Sequence, residues 1–155
     1  MRYYAYLIGL LISGALNAQS RESKFETPPS MEVAMNDQND LKKKRCKPCE
    51  GKVKAYNAQE EQLYLVQIPK WTLNTNGTHT LLRRFLFKNF KEAMSFVNAV
   101  ADLAEAENHH PDIAIFWNNV TLELHTHAIK GLSENDFILA VKIDEILKNK
   151  FGHAL

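Results

Sequence analysis

With 155 residues, 45% of them hydrophobic and 24% charged, the chain has the composition of a soluble globular protein with room for one domain and some extra length. A formal net charge of +1 argues against a nucleic-acid binder that works through a strongly basic surface. Substrate and partners must therefore be sought in local motifs.

At the start, Arg2 precedes an apolar run from Tyr3 to Ile12 that is too short for a membrane span. Small residues at Ser13-Gly14-Ala15 or Leu16-Asn17-Ala18 follow it, so residues 1–18 read as a possible signal peptide. Met31 and Met35 offer the rival reading of a later translation start. The first reading implies export or a periplasmic location, the second a cytoplasmic one. Residues 19–45 are polar, contain Pro28-Pro29 and end in the basic run Lys42 to Arg45, which reads as a flexible lead-in with a solvated tail.

The folded part is expected over residues 46–155. Its opening Cys46-Lys-Pro-Cys49 is open to three readings: a redox pair, half of a zinc site, or two ordinary thiols. Asn57 and Glu60 have the spacing of a capping box and predict a short helix through Leu63, Val66 and Gln67, ending before Pro69. Trp71 to Leu73 and Thr80 to Phe87 read as strands around a tight turn at Asn76-Gly77. Phe90, Ala93, Met94, Val97, Val100, Ala101 and Ala104 then recur at helical intervals. Pro111 disfavours helical geometry at His110 and predicts a break there. Strands follow at Ile113 to Trp117 and Val120 to His127, with Asn118-Asn119 as the turn between them. Ser133 caps a last helix carrying Phe137, Ile138, Val141, Ile143, Ile146 and Leu147. The predicted class is α+β: a four-stranded antiparallel sheet with helices packed on one face.

Four of the six histidines lie between positions 109 and 127. Histidine is the side chain whose unperturbed pKa, about 6.5, lets it exchange protons near neutral pH. Strand alternation puts Val120, Leu122 and Leu124 on one face and Thr121, Glu123, His125 and His127 on the other, open face. Glu105 lies four residues before His109 and so is expected behind it on the same helical face. Ser133 and Asp136 also have capping-box spacing, which gives Asp136 a structural reading beside any functional one. Zinc binding by the histidines is not expected, because the neighbours His109 and His110 do not share a helical face and the known helical zinc pattern needs two histidines four residues apart.

Glu105, three residues, His109-His110-Pro111, five residues, Trp117, nine residues, His127, eight residues and Asp136 resembles the signature of the pterin-4a-carbinolamine dehydratases. Gly131-Leu132-Ser133-Glu134 and Cys46-Lys-Pro-Cys49-Glu50-Gly51 are similar to that family too, and the likeness runs from about Cys46 to Phe151. The resemblance implies dehydration of 4a-hydroxytetrahydropterin to quinonoid dihydropterin, in tetrahydrobiopterin recycling, with no metal or organic cofactor. It implies His109, His110 and His127 as acid, base and pterin-contacting groups, with Glu105 and Asp136 in support. Pro111, Trp117 and His125 are the expected substrate contacts. It further implies a small-molecule pterin as ligand and a homodimer or homotetramer joined through sheet edges. The alternative on the same fold is a non-catalytic binding protein, a dimerisation cofactor or assembly chaperone.

Overall fold

A computed structural model describes residues 41–48 and 53–152. The expected leader over 1–18, the polar stretch 19–40 and Cys49 lie outside the described residues. Ordered packing begins earlier than expected. Leu41 is fully buried in the core, Lys42 Nζ reaches Glu145 Oε1 at 2.7 Å and Lys44 Nζ reaches Glu134 Oε1 at 3.0 Å. Lys42, Lys43 and Arg45 are exposed and Lys44 is half-buried, so the basic run is largely solvated while lying along the folded domain. A buried leucine contributes about 1.5–3 kcal/mol and an exposed ion pair about 0–1 kcal/mol, so Leu41, not the lysines, anchors this segment.

α1 (Ala58–Leu65) begins at the expected capping box. Asn57 Oδ1 accepts from the N–H groups of Gln59 and Glu60 at 2.9 and 3.0 Å, while Glu60 Oε2 accepts from Asn57 N at 2.8 Å. These bonds satisfy donors that a first helical turn leaves open. α1 packs Tyr64 and Leu65 against the core and buries Glu61, whereas Leu63, and Val66 just beyond the helix, are exposed. Glu61 turns inward because both its carboxylate oxygens lie 2.9 Å from His79 Nδ1.

β1 (Thr72–Asn74) and β2 (Thr80–Leu86) pair antiparallel, with Asn74 opposite Thr80. The turn therefore spans residues 75–79 and is longer than the tight one expected. Gly77 alone in it takes a positive φ, 81°, and Asn76 N donates to Asn74 Oδ1 at 3.1 Å. α2 (Phe90–Glu107) is capped by Asn89, whose Oδ1 accepts from Glu92 N at 2.9 Å. Its buried stripe runs Ala93, Phe96, Val100, Ala104 and Glu107. Phe96, unread in the sequence, sits at the centre with its ring 4.8 Å from that of Phe85, whereas Phe90 is exposed.

β3 (Asp112–Phe116) and β4 (Asn119–Leu124) form the second hairpin. The turn is Trp117-Asn118, one residue upstream of the expected position, and Trp117 carries it at φ 53°. Asn118 Nδ2 donates to Phe87 O, which ties the turn to the end of β2. α3 (Glu134–Lys150) is buried on nearly every side between Asn135 and Val141. All strand pairs are antiparallel in the order β1-β2-β4-β3, so the α+β class and the element order are those predicted. Val120, Leu122 and Leu124 of β4 have no solvent exposure, and Arg83 and Trp71 both contact Asp144 of α3 from the sheet side. The opposite face of β4 presents Thr121 and Glu123, and β3 forms an edge with Ile113, Phe116 and Trp117 exposed. Among the described residues no helix is long and apolar enough to cross a membrane.

Candidate active site

The geometry of the site starts at the C-terminus of α2. Asn108 takes the left-handed conformation, φ 50° and ψ 41°, and its N–H and that of His109 return to carbonyls of the last turn. Asparagine suits this position because its short polar side chain tolerates positive φ. The reversal aims the two adjacent histidines in opposite directions. His109 goes inward with 4% of its side chain exposed, and His110 goes outward with 54% exposed.

His109 Nε2 lies 2.8 Å from Asp136 Oδ1, and Asp136 has no solvent exposure. Asp136 Oδ2 accepts from Ser133 N at 2.7 Å and from Thr126 Oγ1 at 2.8 Å. Ser133 Oγ in turn lies 2.8 Å from Thr126 Oγ1. Asp136 is thus both a capping residue of α3 and the partner of a site histidine, as its two sequence readings allow. A carboxylate in the first helical turn also gains from the helix dipole. Because an ionised carboxylate only accepts, His109 donates through Nε2, which leaves Nδ1 as the acceptor of the neutral ring.

The expected pairing of Glu105 with His109 is corrected. Glu105 Oε1 lies 2.9 Å from Nε2 of His110 instead, because the left-handed turn at Asn108 carries His109 off the helical face. β4 also ends at Leu124, not at His127, and His127 opens a 3₁₀ turn over His127–Ile129. Thr126, buried between His125 and His127, holds that turn through Asp136, Ser133 and a 2.9 Å bond from its N–H to Gly131 O. The rings of His125 and His127 consequently lie side by side, centroids 4.0 Å apart.

Asp112, the first residue of β3, was not singled out in the sequence. It stands opposite Glu123, next to the end of β4 from which His125 and His127 follow. Its Oδ1 is 3.8 Å from His127 Nε2 and its Oδ2 is 3.8 Å from His125 Nδ1. Pro111 joins it to His110, so both histidine pairs meet at this end of the β3–β4 hairpin. Trp117 does not join them: it is at the other end, roughly 16 Å along the strand at about 3.3 Å per residue.

Cys46 packs beside this site, not in it. Its N–H donates to Glu107 Oε2 at 2.9 Å, and burial, with the Glu107 charge adding to it, pushes its thiol up to about 12. A thiol held protonated is a poor redox nucleophile, and the Cys46 environment therefore disfavours the redox reading of Cys46-Lys-Pro-Cys49.

Residues 54–146 match a family model described as pterin 4 alpha carbinolamine dehydratase. A protein of Halorhodospira halophila, provisionally named for that dehydratase, is 47% identical over 106 residues, which cover 68% of this chain and 96% of the relative. Pterin-4-alpha-carbinolamine dehydratase 2, mitochondrial, of Arabidopsis thaliana is 47% identical over 110 residues, 69% of this chain and 59% of that protein. Among solved structures, a transcriptional coactivator/pterin dehydratase from Brucella melitensis superposes with a TM-score of 0.57 at 29% identity, over 60% of this chain and 98% of that one.

Proposed function

The chain belongs to the pterin-4a-carbinolamine dehydratase family, and on that premise we propose that it is a hydro-lyase converting 4a-hydroxytetrahydropterin to quinonoid dihydropterin by histidine acid/base catalysis. The observation that carries the reading is the pairing of site histidines with carboxylates: His109 meets Asp136 at 2.8 Å and His110 meets Glu105 at 2.9 Å, while Asp112 stands 3.8 Å from both His127 and His125. A carboxylate so placed holds an imidazole in one orientation and stabilises its protonated form.

The elimination needs no other chemistry. The C4a–O bond breaks as an imidazolium protonates the departing hydroxyl, which leaves as water. A neutral imidazole takes the N5 proton, and the N–H electron pair becomes the C4a=N5 double bond. Two imidazoles in opposite protonation states complete the reaction, and each returns to its starting state on exchanging a proton with water. His110 and His127 are open to solvent and meet the pterin first. His109, with its tautomer set by Asp136, completes the set from the buried side. His125 and Pro111 flank these groups and are proposed pterin contacts. Pterin recycling is the physiological setting that goes with this reaction.

Self-association belongs to the same proposal. β3 is an edge strand with unpaired backbone groups, and exposed Ile113, Phe116 and Trp117 give it an apolar border. Such an edge is a template for pairing with a second copy, and Trp117 has its place in the proposal there. Loss of a 4a-carbinolamine faster than its spontaneous dehydration is the test of the catalytic reading.

A further inference from the structure

Asp112, His125 and His127 combine two imidazoles with a carboxylate, and one donor atom from each falls within 4.8 Å of the others. At 3.8 Å the Asp112 contacts to both rings are too long for hydrogen bonds. They are close to what a shared ion requires: with metal–ligand distances of about 2.0–2.2 Å, tetrahedral donors stand about 3.4 Å apart, so shifts of about 1 Å would close the set. Asp112 and His127 have side chains 60% and 64% exposed and can make such shifts.

A second observation points the same way. His125 Nδ1 is buried and makes no hydrogen bond to any described residue. A buried polar nitrogen without a partner is costly, and a ligand that coordinates it removes the cost.

We propose that Asp112, His125 and His127 form a binding site for a divalent first-row transition ion such as Zn²⁺, Co²⁺ or Ni²⁺. Imidazole suits these ions, whereas Mg²⁺ and Ca²⁺ take oxygen donors. Three protein ligands at an exposed strand end leave a coordination position open to water. This departs from the expectation of no metal: Thr126, held by Asp136 and Ser133, sets the His125 and His127 rings side by side beyond the end of β4, and the β3–β4 register brings Asp112 to them. An ion held there would also withdraw His127 from proton transfer. That consequence rests on the dehydratase reading, while the binding itself does not.

Titration of the untagged full chain with Co²⁺, followed by calorimetry and visible absorption, tests the proposal without recourse to turnover. The expected result is one ion per chain with d–d bands and no thiolate-to-cobalt charge-transfer band. His125→Ala and Asp112→Asn should each weaken binding by at least about tenfold, a ligand being worth no less than an outer-shell partner. Asp112→Asn, at an exposed position, keeps the test sound if His125→Ala fails to fold. The proposal is overturned by absence of saturable binding, by unchanged affinity in folded His125→Ala or in Asp112→Asn, or by a charge-transfer band that places the ion on Cys46 or Cys49.

Discussion

His109 Nε2 and Asp136 Oδ1 meet at 2.8 Å in a place closed to solvent, and this contact joins the end of α2 to the start of α3. Through Oδ2 the same carboxylate holds Thr126, the residue between His125 and His127. One buried side chain thereby positions groups from three parts of the chain.

Asp136→Asn is expected to keep the shape and lose the charge. An amide cannot accept at both ends, so at least one buried donor loses its partner, at a cost of about 1–3 kcal/mol. Thermal unfolding should show the loss, and turnover should fall roughly 100-fold or more because His109 loses its set tautomer. Thr126→Val removes one donor and should lower stability less. Equal melting temperatures for wild type and Asp136→Asn would contradict the role given to the carboxylate.

His110 and Glu105 form the contrasting pair, with side chains 54% and 79% exposed. An exposed pair of this kind contributes about 0–1 kcal/mol, so His110→Ala should leave the melting temperature nearly unchanged. Its turnover should nevertheless fall roughly 100-fold, the scale for loss of a general acid or base. Glu105→Gln, which spares the imidazole, should cost less. A destabilised His110→Ala with normal turnover would reverse the assignment.

Much of this was legible in the sequence, and the exceptions have physical causes. Spacing pointed to His109, His110, His127 and Asp136, and capping chemistry placed both ends of the Asn57 and Ser133 motifs. The His109–Asp136 pairing was not legible because it depends on a single left-handed residue, Asn108, that turns one histidine in and the next out. The β3–β4 turn was misplaced by one residue because Asn tolerates positive φ better than Trp, yet Trp117 adopts it. A turn moved by one residue slides the register by two, which preserves the faces but changes each partner. Asp112 could still have been found, since either register puts it beside His125 on the open face. Leu41 and Phe96 were missed because a lone leucine beside lysines and a phenylalanine one step off the read stripe carry no pattern of their own.

Glu107 supplies the acid-range prediction. Burial works against its ionisation, but Lys142 Nζ at 2.6 Å, the Cys46 N–H and the charges of Lys142 and Arg45 outweigh it and hold the carboxyl below the usual range. A depressed folded-state pKa contributes stability that is present above the unfolded value, about 4.3, and is lost as pH falls through the folded value. Wild type should therefore exceed Glu107→Gln in urea stability at pH 7, and the gap should narrow below about pH 4.3. A gap that widens on acidification would have the wrong sign.

Cys46 should resist alkylation. Its thiol, pushed up to about 12, is almost wholly protonated at pH 8, and the thiolate is the reactive form. Mass mapping after iodoacetamide should find Cys46 unmodified in the native chain and modified in denaturant. Rapid native labelling of Cys46 would restore the redox reading.

The central claim is proton transfer by carboxylate-paired histidines, and stopped-flow absorbance on a 4a-carbinolamine tests it most directly. Wild-type chain should speed the dehydration well above the spontaneous rate, and folded His127→Ala should lose roughly 100-fold or more of that turnover. Wild-type chain giving only the spontaneous rate, or His127→Ala retaining full turnover, would contradict it.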